Sequence, residues 1–466
     1  MIWLYLPVTC NNPLTRIRYG PVFRLLLGGR YLTVVASEEA IHNVLLAEHG
    51  VFSPRTQAYQ VFRAIGSDAT LYPRLYDVAS QDLFLLLDKR LAKRALNDIT
   101  PGFAKLFFDR LKQFTKSQQV SLKRSLTEPL YFASNAILLG SRFSPDTYDD
   151  YVTFNDSIPS RLSMRPFWPF PSSRARKRLL EHISKYLENA DATKFDDKLG
   201  SSFIEIFRDR NLSTKEGAYL VLSFMIALYM NPFNVVFWLM AWLLADPSAL
   251  HFVREEIDRA VREEFGGLQQ FVAHANPENL QSSSFPYLHS AILETLRLSS
   301  MLTGLRDAES DFDLKEGDKV TPLKKGEHIV AYTWAIHRDE RAYKNAHSFV
   351  ADRFIHIKDQ ENMMRSPSKA YIPFGAGKNS VSPLGNGDDH IAKRTYTIFL
   401  QCKGRLLAIY QIKVLAILYL SLFDVTPVRR GDDSRKWEPP QSSTGSTGTI
   451  HTSEDVVVKL RPRFDV

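Results

Sequence analysis

The strongest constraint on the fold lies in residues 371–423, where a glycine-rich run precedes a long apolar segment. The stretch begins Y-I-P-F-G-A-G-K-N and later reads C-K-G-R-L-L-A-I-Y-Q-I-K-V-L-A-I-L-Y-L. From Leu406 to Phe423 nearly every face of a helix would be apolar, which predicts a buried helix. Burying such a helix requires a large surrounding core, and 44% hydrophobic residues in a chain of 466 supply one.

Cys402 precedes this predicted helix, at the end where backbone N–H groups point outward and favour an anion. A thiolate there is expected to be stabilised and to bind a soft or borderline metal such as iron. Gly375, Gly377 and Gly404 would allow the backbone to approach the sulfur closely. A buried structural cysteine after a glycine-rich turn is the alternative interpretation.

The run Phe374-Gly-x-Gly, followed by Cys402-x-Gly-Arg and an apolar helix, resembles the haem-binding loop of the cytochrome P450 family. The resemblance implies that Cys402 is the axial ligand of haem b iron. Phe374, Gly375, Gly377 and Gly404 would then form the cofactor-binding loop around it. The implied fold is mainly α (α+β), with a large helical domain around haem, a small β-rich region and a catalytic domain over residues 19–466.

Residues 381–401 interrupt this loop, because the family places its cysteine a few residues after Phe-Gly-x-Gly. Removing V-S-P-L-G-N-G-D-D-H-I-A-K-R-T-Y-T-I-F-L-Q joins Ser380 to Cys402 and restores the pattern. GTAAGT can encode Val-Ser and CAG can encode the final Gln, so we predict a retained intron of a filamentous fungus. The insert is expected to detach the cysteine from the backbone at 374–377. Alternatively, it prevents haem binding and leaves a non-catalytic helical protein.

A second motif pairs Glu294 with Arg297 at i and i+3 on a predicted helix with apolar neighbours. The apolar flanks predict burial, which requires a well-satisfied ion pair. The pair resembles the Glu-x-x-Arg of the family, and Arg353 resembles its third, structural member. The run L-R-L-S-S followed by Arg306 is similar to the sterol-hydroxylase and prostacyclin-synthase branch. This resemblance implies that Arg306 binds a haem propionate.

Residues 216–245 are predicted to form a long core helix rather than a membrane span. Pro232 removes one backbone hydrogen bond, and the neighbouring Asn231 and Asn234 predict a polar notch in an apolar wall. Most family members have an acid–alcohol pair here that delivers protons, and the resemblance puts Met230 and Asn231 in those positions. Asn231 is therefore the candidate catalytic residue. A satisfied helix asparagine beside a kink is the alternative.

Other segments carry further predictions. Residues 80–116 are predicted to be helical with a break at Pro101-Gly102, and the position of residues 157–173 resembles that of the substrate-access lid of the family. The basic cluster Lys89, Arg90, Lys93 and Arg94 either binds a propionate or forms a solvated face. Phe167, Trp168 and Phe170 of the lid contact substrate, a membrane interface or only their own loop. His337 is interpreted as structural, and residues 429–455 as a surface loop.

Composition bounds the partners and the compartment. The net charge of +8 suits a membrane surface or an anionic partner as well as a merely solvated face, and no basic tract indicates nucleic-acid binding. Two cysteines, Cys10 and Cys402, do not make a disulfide framework. Residues 1–18 are predicted to be an N-terminal stub without a full membrane anchor. The expected location is the cytoplasm, or the cytoplasmic face of the endoplasmic reticulum if an anchor lies upstream.

The resemblance implies a monooxygenase that uses O2 and electrons from a separate NADPH-cytochrome P450 reductase, since the sequence contains no dinucleotide-binding fingerprint. The apolar central helix and aromatic lid predict a lipophilic substrate such as a sterol, terpenoid or polyketide. With such a substrate, we expect the enzyme to act in secondary-metabolite biosynthesis and to make a peripheral contact with a membrane. The alternative is a haem-thiolate isomerase or dehydratase of the prostacyclin-synthase type, which needs no proton delivery.

Overall fold

The structure is a computed structural model that describes residues 20–27, 30–47, 50–116, 119–140, 143, 145–162, 170–189, 199–301, 303–357, 370–375, 402–428, 437–442, 448–452 and 454–463. Helices account for most of them. The helices are α1 (Glu38–Leu45), α2 (Arg55–Ala64), α3 (Tyr72–Val78), α4 (Phe84–Arg90), α5 (Lys93–Leu111), α6 (Leu122–Leu138), α7 (Tyr148–Asn155), α8 (Ile158–Leu162), α9 (Phe170–Glu188), α10 (Gly200–Asp209), α11 (Thr214–Ala245), α12 (Pro247–Glu263), α13 (Leu268–His274), α14 (Pro286–Ser299), α15 (Thr333–His337) and α16 (Arg405–Leu422).

The strands form small sheets, so the predicted mainly α architecture with a minor β region is confirmed. They are β1 (Val22–Leu27), β2 (Arg30–Val35), β3 (Phe52–Ser53), β4 (Gln119–Ser121), β5 (Ser300–Met301), β6 (Thr303–Ala308), β7 (Phe312–Glu316), β8 (Lys319–Leu323), β9 (His328–Tyr332), β10 (Phe423–Pro427), β11 (Gly448–Thr449) and β12 (Val457–Pro462). The largest sheet has the order β1-β2-β9-β6-β3, and β2 and β9 are parallel in it. A second sheet has the order β10-β12-β4, and β5-β11 and β7-β8 are two-stranded.

Helix α11 is the central element of the helical region. Its N-terminus is fixed by a capping box, in which the Ser213 hydroxyl accepts the Glu216 N–H while the Glu216 carboxylate accepts the Ser213 N–H. Helices α6, α9, α14 and α16 pack around it. In the described part of the chain, α11 and α16 are the helices long and apolar enough to cross a membrane. In each of them, however, 83% of the apolar 18-residue stretch that could span it is buried inside the protein. The predicted role of residues 216–245 as a core helix is therefore confirmed.

Two sequence-based predictions about local structure are wrong. Helix α5 continues through Pro101 and Gly102, and a Cβ on Gly102 would lie 2.6 Å from the Ile137 side chain. The glycine thus marks the close approach of α6 rather than the end of a helix. Residues 429–455 are not entirely a surface loop, because Ile450 and His451 are buried and β11 pairs with β5. Ser/Thr/Gly composition did not reveal this pairing.

Candidate active site

Cys402 lies immediately before α16, whose N-cap is Gly404, and its backbone N–H donates a 3.0 Å hydrogen bond to the Phe374 carbonyl. The two halves of the glycine-rich loop therefore meet across the insertion. The prediction that the insert detaches the cysteine from residue 374 is wrong, because a chain excursion leaving and returning at adjacent points costs little additional closure entropy. Gly377 and residues 381–401 themselves lie outside the described residues.

Hydrogen bonds hold the first half of the loop in place. The Tyr371 hydroxyl donates to the Leu293 carbonyl on α14 at 3.0 Å, and the Ile372 N–H donates to Nε2 of His337 at 3.0 Å. Gly375 then turns back with φ of 74° and donates its N–H to the Ile372 carbonyl at 3.1 Å. His337 thus positions the loop, in keeping with its structural interpretation.

The Cys402 side chain opens onto a cavity of about 330 Å³ between α11 and α16. Its walls are largely apolar and come from segments distant in sequence. They include Phe84, Leu87, Phe224, Ala227, Leu228, Asn231, Pro232, Val235, Leu296, Gly304, Arg306, Phe374, Gly404, Leu407, Ala408, Gly448 and Thr449. This set joins five predicted site residues, namely Cys402, Phe374, Gly404, Arg306 and Asn231, in one space.

The ionisation of Cys402 differs from the expectation for a helix N-terminus. The Cys402 side chain is exposed to the cavity, but the protein packed around it raises the pKa of the thiol by desolvation, while the Gly404 N–H and the charges of Arg405 and Lys403 act in the opposite direction. The predicted backbone donor is therefore present, but desolvation outweighs it. A cation bound at the sulfur would favour the thiolate form.

Arg306, on β6, is buried in the wall of the same cavity. Its Nη1 donates to the Leu305 carbonyl at 2.8 Å and to Oε1 of Gln57 at 3.3 Å, while its buried Nε has no hydrogen-bond partner. Burial lowers the pKa of the guanidinium to about 10. Within the described part of the chain no ion pair neutralises it. A buried cation with an unused donor beside a cavity fits a carboxylate of a bound group.

Asn231 lines the cavity from α11, beside Pro232. Its Oδ1 accepts a hydrogen bond of 3.2 Å from the Thr449 hydroxyl on β11. Asn234, one turn further along, donates to the Met230 carbonyl at 2.9 Å and to Oγ1 of Thr449 at 3.0 Å. The predicted polar notch is therefore present. Thr449 belongs to it, and no motif in the sequence indicated that residue.

Glu294, Arg297 and Arg353 form one buried network away from the cavity. Arg297 binds the Glu294 carboxylate through two hydrogen bonds of 2.7 and 2.8 Å, and Nε of Arg353 approaches both carboxylate oxygens at 3.0 and 2.9 Å. The Val350 N–H also donates to Glu294, and Arg297 donates to the His337 carbonyl. This arrangement ties α14 to the segment around 337–353.

A second cavity of about 340 Å³ adjoins the first. The two share a wall made by Gln57, Phe84, Leu87, Phe224 and Ala227. The remaining lining is apolar except for Ser223, and comprises Pro54, Ala58, Val61, Phe62, Ala79, Leu83, Phe203 and Leu220. Sequence patterns did not identify this space because its residues come from α2 and the residue before it, from residues 79–83, and from α4, α10 and α11, and they share no motif.

The other predicted segments do not reach either cavity in the described structure. Lys89 and Arg94 are exposed, and Arg90 instead donates to the Ser202 hydroxyl at 3.3 Å beside a separate cavity of about 130 Å³. The side chain of Lys93 lies outside the described residues, as do Phe167, Trp168 and the side chain of Phe170. The access lid thus stays a prediction.

A cysteine thiol, a buried arginine and apolar walls around one cavity in a mainly helical fold fit a haem-thiolate protein. The sequence model of the family described as Cytochrome P450 matches residues 14–380, and the match ends where the insertion begins. The chain belongs to the cytochrome P450 family, an oxidoreductase family with haem b as its cofactor.

Several curated proteins are similar to most of the chain. Cytochrome P450 7A1 of Oryctolagus cuniculus is 24% identical, with 97% of this chain and 89% of the relative covered. Ferruginol synthase of Salvia pomifera is 23% identical over 81% of this chain and 87% of the relative. 25-hydroxycholesterol 7-alpha-hydroxylase of Rattus norvegicus is 28% identical, over 59% of this chain and 63% of its own length.

Proposed function

We propose that this cytochrome P450 monooxygenase hydroxylates a lipophilic small molecule of the sterol, terpenoid or polyketide class, as part of secondary-metabolite biosynthesis. The observation that carries the proposal is the second cavity, which is almost entirely apolar and shares a wall with the Cys402 cavity. An apolar pocket with few polar groups suits a ligand of this kind. Relatives whose names refer to 25-hydroxycholesterol and ferruginol support the same substrate range.

Each residue of the site has a distinct task in this proposal. Haem, when bound, supplies the chemistry that oxidises an unactivated C–H bond, and a thiolate ligand favours O–O cleavage. Cys402 holds the iron, and Arg306 binds a carboxylate of the group. Phe84 and Phe224, in the shared wall, contact the substrate and exclude water from the reacting face. Asn231 donates a hydrogen bond into the cavity.

We also propose that electrons come from a separate NADPH-cytochrome P450 reductase. The net charge of +8 would suit an acidic docking partner. With an anchor upstream, the protein would face the cytoplasm from the endoplasmic reticulum and the lid would contact the membrane. Without an anchor, it would be cytoplasmic.

The test introduces a larger side chain into the wall that the two cavities share. Ala227→Phe should remove the substrate-induced change in the haem absorption spectrum for a panel of sterols and terpenoids, because the larger ring fills space at the wall that both cavities share. Leu85→Phe is the matched control, since Leu85 is exposed on the same helix as Phe84. The thiolate-type spectrum of the reduced carbon monoxide complex should persist in both variants. Unchanged substrate binding in Ala227→Phe would contradict the assignment of the apolar cavity.

One observation favours a second function, that of a haem-thiolate isomerase or dehydratase. Among the described residues lining the Cys402 cavity there is no aspartate or glutamate to deliver a proton. Turnover distinguishes the two. A monooxygenase requires NADPH, oxygen and added reductase, whereas product formation from a lipid peroxide without any of these would establish the isomerase.

A further inference from the structure

Strand β11 brings Thr449 from the far end of the chain to the central helix. The strand pairs with β5 through Gly448↔Met301 and Thr449↔Ser300. From this position the Thr449 hydroxyl contacts Asn231 on α11, and both residues line the cavity of Cys402. The contact is independent of the glycine-rich loop, because it joins different elements.

The hydrogen bonds of this contact run in one consistent direction. Asn234 Nδ2 is a donor, since one of its acceptors is the Met230 carbonyl and the other is Oγ1 of Thr449. The Thr449 hydroxyl therefore accepts from Asn234 and gives its single proton to Oδ1 of Asn231 at 3.2 Å. In this arrangement Asn231 presents its carbonyl to Thr449 and its –NH2 group elsewhere. Within the described part of the chain, that –NH2 group donates to no protein acceptor.

Gly448 completes the socket for the Asn231 amide. Its φ is +84°, and a Cβ added there would lie 2.5 Å from Oδ1 of Asn231. A side chain at 448 would therefore displace the amide from its place against β11. Gly448 has no side chain and so leaves space for the Asn231 amide. The hydroxyl proton of Thr449 orients that amide.

We propose that Thr449 is a positioning residue, which turns the Asn231 amide so that its –NH2 group donates into the haem cavity. The inference deepens the proposed function and rests on the role assigned there to Asn231. It explains how an asparagine can serve at this point of the helix: the amide acts as a hydrogen-bond donor for an oxygen atom in the cavity. If the amide could rotate freely, a fraction of the molecules would present its carbonyl oxygen, instead of its –NH2 group, to that oxygen atom.

The test uses the infrared C–O stretch of the reduced, carbon monoxide-bound holoprotein. A donor near the bound oxygen lowers this frequency, because it favours transfer of electron density from iron into the ligand. Asn231→Leu should move the band to higher frequency. Thr449→Val, which keeps the shape but removes the hydroxyl, should shift the band in the same direction or split it. Thr449→Ser, which keeps the hydroxyl, should leave it in place.

The outcomes separate the two assignments. A shift in Asn231→Leu together with an unchanged band in Thr449→Val would overturn the positioning role of Thr449 and leave Asn231 as the donor. An unchanged band in both would overturn the role of Asn231 as well. If Thr449→Val does not assemble with haem, Thr449→Ala replaces it, since the smaller side chain fits the same space. A band in Thr449→Ala identical to that of the unaltered protein would overturn the inference.

Discussion

The backbone N–H of Cys402 donates to the carbonyl of Phe374 at 3.0 Å, although residues 375–401 separate them in the chain. This hydrogen bond joins the end of the glycine-rich run to the start of α16. The family match stops at residue 380, the last residue before the insertion. The geometry of the described loop ends, Phe374 and Cys402, is thus compatible with the added segment.

We predict that a chain lacking 381–401 binds haem at least as well as the full chain, because the loop ends already meet. The thiolate-type spectrum of the reduced carbon monoxide complex measures this for both proteins. Loss of the spectrum on deletion would show that the insertion supports the site.

We further propose that the segment 381–401 is a retained intron. Sequencing of mature transcripts tests this origin: messages that uniformly keep the segment would show it to be genuine protein.

Replacing Cys402 tests the axial ligand directly. Cys402→Ala should abolish the thiolate-type spectrum, because this side chain is the cysteine on the cavity wall. Cys10→Ala is the matched control and should leave the spectrum unchanged. A thiolate-type band that survives in Cys402→Ala would remove the basis of the assigned chemistry.

Arg306→Leu should weaken retention of haem. The loss of a charge-assisted contact of about 1.5–3 kcal/mol corresponds to faster haem dissociation by a factor of roughly ten to a hundred. Arg306→Lys should retain part of the effect, since it keeps the charge without the fork-shaped donor set. Transfer of haem to an excess of an apo-acceptor protein measures the rate. Arg262→Leu, at an exposed position, serves as the control, and equal rates in all variants would refute the propionate contact.

Glu294→Ala should prevent accumulation of folded protein. The change leaves Arg297 and Arg353 without their shared carboxylate, and an unpaired buried charge costs about 3–5 kcal/mol. Glu255→Ala, on an exposed face with an i,i+4 partner, should change the free energy of unfolding by no more than about 0.5 kcal/mol. Soluble yield and denaturation midpoints provide the measurement. A stable, haem-loaded Glu294→Ala that is only slower would indicate a catalytic role instead.

Stability should fall as the pH drops below about 6.5, and His337 should account for part of the loss. Burial, with the charges of Arg338 and Arg297, lowers the pKa of His337 from 6.5 to about 3 in the folded protein. Between these values the unfolded chain binds a proton that the folded chain excludes. The contribution of His337 is therefore complete above pH 6.5 and declines by up to about 1.4 kcal/mol per pH unit below it.

His337→Gln tests this dependence, because its amide oxygen can accept the Ile372 N–H without titrating. The free energy of unfolding, measured with denaturant between about pH 7 and pH 5, should depend less steeply on pH in this variant than in the unaltered protein. His251→Gln replaces an exposed histidine and should keep the original slope. Equal slopes for all three proteins would contradict the assignment.

The sequence by itself determined the class of fold and the chemistry of the site. Continuous apolar runs identified α11 and α16, since a helix apolar on nearly every face has to be buried. The motifs around Cys402 and Glu294 indicated their roles because their residues are near each other in the chain. Each of those patterns involves residues that are close together in the chain, and such patterns are visible in a single sequence.

Tertiary structure alone decided which distant residues meet. It brought Thr449 to Asn231, Gln57 to Arg306 and Cys402 back to Phe374. The first two of these contacts have no signature in spacing or composition, because each depends on how separate helices and strands pack. Proline and glycine at 101–102 likewise predict a break by local preference, yet packing of α6 against α5 keeps the helix continuous. The free energy of such packing exceeds local propensity, and it is defined only in the folded chain.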